Sequence, residues 1–150
     1  MKWACLVLMV LVLVGITGCT SLLYDDQKFI DSWDNHIKND NELIEQLNKA
    51  AENRDIPLVK STARELSRAA RDEYYTVLNY QVSPEMETSQ YYFARYLSAK
   101  VDCHNMLVTL IESRETGDTE YEEFNLDLLE LKGRGADENL KLAYDNLPKD

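Results

Sequence analysis

A chain of 150 residues, 45% hydrophobic and 29% charged, has room for one compact domain. Its 27 acidic against 16 basic side chains give a net charge of −11, which argues against a nucleic-acid binder, whose affinity rests on neutralising phosphates. Three cysteines stand at positions 5, 19 and 103, the first inside an apolar leader, so a modified Cys19 would leave Cys103 alone with no internal disulfide.

The chain begins MKWACLVLMVLVLVGITGC: one positive charge, an apolar run from Trp3 to Val14, then small residues before Cys19. This is the layout of a secretory signal, too short for a comfortable transmembrane helix. The competing reading is an uncleaved anchor from Trp3 to Leu23. Gly15, Thr17, Gly18, Thr20 and Ser21 dilute the second half of such a span.

Ile16-Thr17-Gly18-Cys19 resembles the lipobox of prokaryotic (bacterial or archaeal) lipoprotein signal peptides, an aliphatic residue and two small ones before the cysteine. The resemblance covers the first nineteen residues and not the mature domain. It implies that residues 1–18 are removed, that the Cys19 sulfur carries a diacylglycerol, and that residues 19–23 form a lipidated tether. Two acyl chains, at ~0.8 kcal/mol per buried CH₂, anchor a protein stably where one does not. The implied location is the cell envelope, facing outside the cytoplasm, on the outer membrane or the outer face of the plasma membrane according to host. Lys2 is the only charged residue before Asp25, so the mature chain would keep 15 basic against 27 acidic side chains, a net charge of −12.

From Tyr24 onward the apolar pattern has helical period and almost no strand signal. A first helix is expected over about 24–53, with Ile30, Trp33, Ile37, Ile44, Leu47 and Ala51 at steps of three and four and Asp40 in the vacant seam position. Asp55 then offers an N-cap and Pro57 a first turn for a second helix to about residue 80, along Val59, Ala63, Leu66, Ala70, Tyr74 and Val77. Ser83 and Pro84 predict the start of a third helix over 84–115, with Phe93, Leu97, Lys100, His104, Leu107 and Ile111 inward. Gly117 ends it, and Thr119 with Glu122 has the spacing of a capping box for a fourth helix over 119–147. Phe124, Leu128, Leu131, Leu140, Ala143 and Leu147 carry that helix, with Gly133 and Gly135 marking a kink, a close contact or a break. Long helices joined by short loops dock antiparallel, so the expected fold of residues 24–150 is all-α, an antiparallel up-down-up-down four-helix bundle.

Chemistry-bearing motifs are sparse. Cys103, His104 and Met106 are neighbours in sequence, yet on a helix Cys103 and His104 diverge by about 100°. His36 is the only other histidine, and the Glu-x-x-His and Cys-x-x-Cys-His signatures of di-iron and haem bundles are missing. Neither a nucleophile elbow nor a phosphate-cradling glycine loop occurs. The expectation is therefore no catalytic residue, no metal and no cofactor, with Asp40, Glu73 and Lys100 as candidates for a buried polar network.

Two asymmetries suggest surfaces. Lys60, Arg64, Arg68 and Arg71 fall within about 80° of one another at 100° per residue, a basic stripe that is either a solvated face partly neutralised by the acidic helices beside it or a dock for an acidic protein partner or phosphate-bearing headgroups. Six tyrosines, Tyr74, Tyr75, Tyr80, Tyr91, Tyr92 and Tyr96, flank the QVSPE turn, which an anchor at Cys19 would place on the membrane side of the bundle. The functional expectation is a non-enzymatic, lipid-anchored binding or structural module. The alternative is a cofactor-binding or catalytic bundle whose site groups come from several helices and leave no linear motif.

Overall fold

The computed structural model describes residues 24–117 and 120–148, and for 120–125 the backbone alone. Cys19 and the whole lipobox, the Thr119–Glu122 capping box and the Phe124 side chain lie outside the described residues. Four helices follow in order: α1 (Asp26–Glu52), α2 (Ile56–Asn79), α3 (Glu87–Thr116) and α4 (Glu120–Asp145). Consecutive helices pack on each other, and the chain is an antiparallel four-helix bundle with no strand among the described residues. Among those residues, no helix is long and apolar enough to cross a membrane.

The connections show local chemistry at work. At the end of α1 the amides of Arg54 and Asp55 turn back to the carbonyls of Ala51 and Ala50, with Arg54 in the left-handed region at φ 57°. Asp55 then caps α2, its carboxylate accepting from the Leu58 amide at 3.1 Å, and Pro57 sits in the first turn. Gly117 closes α3 at φ 77°, a conformation that suits glycine.

The start of α3 departs from expectation. Ser83 does not cap it; the helix begins at Glu87, after a turn closed by the Met86 amide on the Ser83 carbonyl at 2.9 Å. The Ser83 amide donates instead to Asp26 Oδ1 at 2.8 Å, and the segment swings Val82 and Met86 into the core. Burying those two side chains outweighs one more helical turn.

The core has two ends and a polar middle. At one end Phe29, Trp33, Phe93 and Tyr96 form a continuous aromatic layer, with Trp33 stacked on Phe93 at 4.5 Å and Phe93 on Tyr96 at 5.8 Å. Tyr144 closes it against Trp33 at 4.7 Å, joining α1 to α4 through rings rather than close backbones. A smaller aliphatic cluster of Ala50, Val59 and Ile111, with Leu107 against it, fills the other end. Small residues on α2, Ala63, Ser67 and Ala70, let α3 approach closely, and Ser67 donates to Asn105 at 2.7 Å. The Ser89 hydroxyl donates to the Ala143 carbonyl at 2.7 Å and ties α3 to α4.

Two seams are rotated from the expected ones. On α1 the innermost positions are Phe29, Trp33, His36, Asp40 and Leu43, while Ile30, Ile37 and Ile44 are half-buried and Ala51 is exposed. On α4 Ala136 is buried and Leu131 is 58% exposed.

Helix α4 runs unbroken through Gly133 and Gly135, and a Cβ at either position would meet nothing within 4 Å. These glycines therefore serve no close contact, and each weakens the helix by about 1 kcal/mol relative to alanine. Gly133→Ala and Gly135→Ala should each raise the free energy of unfolding by about 0.5–1 kcal/mol in denaturant titrations. A loss of stability in either variant would show that a kink, a close contact or a break, the three readings open from the sequence, is present in solution.

Candidate binding face and buried polar cluster

The start of the domain is pinned to the α2–α3 turn. The Asp25 amide donates to the Gln81 carbonyl at 2.7 Å, and the Gln81 amide returns a bond to Asp25 Oδ2 at 3.2 Å. Lys28 and the Gln81 amide both favour the charged form of Asp25 and hold its carboxyl below its ordinary value. Gln90 reaches back from α3 and caps the end of α2, donating to the carbonyls of Val77 at 2.7 Å and Tyr80 at 3.0 Å. This end of the bundle is thus a knot of backbone and side-chain bonds.

Beside that knot, α2 and α3 enclose an open cleft of about 420 Å³. Tyr74 and Leu78 line it from α2, and Glu87, Tyr91, Ala94 and Arg95 from α3. Arg95 is held by the Tyr91 hydroxyl at 3.1 Å and lies 5.7 Å from the centre of its ring. A smaller polar hollow of about 210 Å³, with Asp102 and Lys132 in a 2.7 Å ion pair, adjoins it across Arg95 and Ser98.

The expected basic stripe divides into two halves. Lys60 sits between Glu112 at 3.1 Å and Glu115 at 3.0 Å, and Arg64 pairs with Glu112 at 2.9 Å. The two carboxylates raise the Lys60 ammonium above its ordinary value. Arg68 and Arg71 are exposed and make no ion pair among the described residues. The distal half of the stripe is an interhelical clamp, and only the half nearer the cleft remains available.

The six tyrosines also divide. Tyr75 and Tyr91 are 61% and 55% exposed, Tyr74 and Tyr92 are half-buried edge-on to them, and Tyr80 packs its edge on Phe29. Tyr96 does not belong to any surface cluster: it is 3% exposed and lies in the core, donating to Asp40 Oδ2 at 3.1 Å. A buried hydroxyl needs an acceptor, and Asp40 supplies it from the facing helix.

That bond belongs to the polar middle of the bundle. Lys100 Nζ lies 2.9 Å from the same Asp40 Oδ2 and 5.9 Å from the Tyr96 ring centre. His36 and His104, at 6% and 7% exposure, lie close enough to feel both charges of this pair. Of the three seam residues expected to form a network, Asp40 and Lys100 meet. Glu73 does not join them; half-buried, it accepts from Ser32 at 2.6 Å, and burial raises its carboxyl above the ordinary value. Sequence reasoning missed Tyr96 and His36, although His36–Asp40 and Tyr96–Lys100–His104 have the four-residue spacing that aligns side chains on one face.

Burial lowers both histidines, His104 to about 4, and Lys100 adds to the effect. Both imidazoles are therefore neutral at neutral pH. Cys103 is half-buried and its thiol is pushed up by desolvation, so it is a poor nucleophile. Among the described residues no three His, Cys, Asp or Glu side chains come close enough to share a metal ion. Chemically the cluster is packing with fixed polarity. The accessible chemistry, arginine guanidinium and tyrosine, lies at the cleft.

No protein-family model, curated protein or solved structure matches this chain.

Two measurements test the polar middle. Lys100→Met leaves Asp40 buried without its counter-charge and should cost about 3–5 kcal/mol, whereas Asp40→Leu combined with Lys100→Met should recover most of that loss. A double variant that costs the sum of Asp40→Leu alone and Lys100→Met alone would show that the charges are not coupled. A second test uses pH. Histidines depressed in the folded state take up protons preferentially on unfolding, so stability is full above 6.5 and falls as pH drops through 6.5 toward about 4. His104 should account for roughly 3 kcal/mol of the fall, and His104→Leu should flatten the curve of melting temperature over that window. An imidazole of His104 that titrates near its ordinary 6.5 by NMR would contradict its burial.

Proposed function

We propose that this chain is a lipid-anchored, non-enzymatic module of the cell envelope, held by a diacylglycerol on Cys19 and presenting a binding face on its α2–α3 side. The observation that carries the binding role is the accessible cleft between Tyr74, Leu78, Tyr91 and Arg95, set on two long helices whose ends are bonded together. A preformed cleft that sets aromatic and aliphatic side chains beside polar and charged ones suits recognition. Cys103, His36 and His104, the side chains best able to do chemistry, are drawn into packing instead.

The anchor reading rests on the apolar leader and Ile16-Thr17-Gly18-Cys19. The pinned start of the domain gives it a geometric consequence. Asp25 lies six positions after Cys19, so a lipid on Cys19 would keep the α2–α3 turn within about 20 Å of the bilayer surface. The turns at Arg54 and Gly117 would then form the distal tip.

Intact-mass analysis of chain purified from membranes tests the anchor. The expected mass is that of residues 19–150 plus a diacylglycerol and any N-terminal acyl group, and Cys19→Ser should leave an unprocessed, unacylated precursor. An unmodified Cys19 in the wild-type mature chain would sink the anchor.

A further inference from the structure

Of three arginines on the α2–α3 side, Arg95 lines the cleft, and Arg68 and Arg71 lie farther along α2, outside its lining. Lys60 and Arg64 are clamped by Glu112 and Glu115. Arg68, Arg71 and Arg95 make no ion pair among the described residues, although carboxylates outnumber bases in the chain as a whole.

The arginines are aligned with the exposed apolar side chains. Counting 100° per residue along α2, Arg68, Arg71, Tyr75 and Leu78 fall within about 80° of one another, so the basic half-stripe continues directly into an aromatic and aliphatic one. Tyr75 and Leu78 are 61% and 53% exposed. From Arg68 to Leu78 the row is about 15 Å long, three turns of helix. Across the cleft, α3 supplies Tyr91 and Arg95. Glu87 closes the end nearest the turn, the one acidic side chain lining the cleft.

We infer that the α2–α3 cleft docks an acidic amphipathic helix of a partner protein, its apolar side chains against Leu78, Tyr91 and Ala94 and its carboxylates on Arg68, Arg71 and Arg95. The inference deepens the binding role proposed above and does not depend on the anchor. A groove between two antiparallel helices accepts a third helix through apolar anchors at i, i+3, i+4 and i+7. Arg68 and Arg71 select acid because each can take a carboxylate in two-pronged fashion, and Arg95, held at one nitrogen by the Tyr91 hydroxyl, offers its remaining donors. An anionic bilayer is the weaker match. Glu85 and Glu87 stand exposed at the cleft end nearest the pinned turn, where a flat anionic surface would meet them together with the arginines, whereas a partner helix can set apolar side chains there and its carboxylates on the arginines alone.

The test uses the full chain in non-ionic detergent and a labelled synthetic helix of four turns, with leucine every third or fourth position and glutamate on both flanks. Fluorescence anisotropy should show saturable binding that weakens with salt. Arg68→Gln with Arg71→Gln should weaken it about tenfold or more, and Leu78→Ser similarly. All three positions are exposed, so circular dichroism should be unchanged, and Lys38→Gln on the far side of α1 should bind as wild type. The same helix with glutamine in place of glutamate should bind at least tenfold more weakly. No binding of the acidic helix, or binding indifferent to the arginine substitutions, would overturn the inference. So would salt-sensitive binding to vesicles rich in phosphatidylglycerol that the arginine substitutions abolish, which would give the face to a bilayer. Acylation of Cys19 is read separately by mass, so failure here leaves the anchor untouched.

Discussion

A carboxylate and an ammonium share the dry middle of this bundle, and much of the interior is arranged around them. Asp40 is 4% exposed and its Oδ2 takes both Lys100 and the Tyr96 hydroxyl. Burying two charges costs several kcal/mol each, recovered only where geometry and further hydrogen bonds are good. The pair also joins helices that are not consecutive, α1 and α3. A shift of either helix by one turn would strand both charges in an apolar core, so the pair fixes the register in which the two helices meet.

Its effects reach outward in both directions. Toward the α2–α3 turn, Tyr96 carries the polar layer into the ring stack of Phe93 and Trp33 and on to Phe29 and Tyr80. Toward the other end, His104 marks the passage to Leu107 and Ile111, where the core becomes aliphatic. The two histidines stay neutral because burial disfavours their charged form and Lys100 repels it, against the opposing pull of Asp40. Acid sensitivity is therefore built into the core as well as into the paired carboxylates of the surface.

How much of this could be read from sequence follows from the range of each interaction. Asp55 with Pro57, and Gly117, act within a few residues, and both were legible as helix boundaries. The end of α3 at Gly117 was found for the same reason that its start was misplaced. Ser83-Pro84 has the local form of a helix start, but its amide answers to Asp26, 57 residues away, and no local pattern reveals that. Tyr96 fails for a similar reason: a tyrosine close to five others looks like a cluster until a carboxylate on another helix claims its hydroxyl. The split of the basic stripe was equally hidden, since Glu112 and Glu115 lie on α3. The fold was legible because it is periodic, and the face was only half legible because it is made of contacts between helices.

The pinned turn gives the cleft its setting. Rigid elements make better recognition sites than loops, since little ordering entropy remains to be lost on binding. Here the cleft lies on two helices that share a Gln90 cap, a Ser67–Asn105 bond and the distal Lys60 clamp. A chain held at Cys19 would rest with this end toward the bilayer, so a partner helix could reach the cleft only from the side, running along the surface or descending from above. The arginines extend from the cleft away from the turn, toward the distal tip. Carboxylates on the partner are then best placed on the part of its helix farther from the bilayer, with its apolar residues nearer. That polarity is a stronger constraint on the partner than its net charge, because a helix in the opposite direction must repeat the same order of acid and apolar residues in reverse.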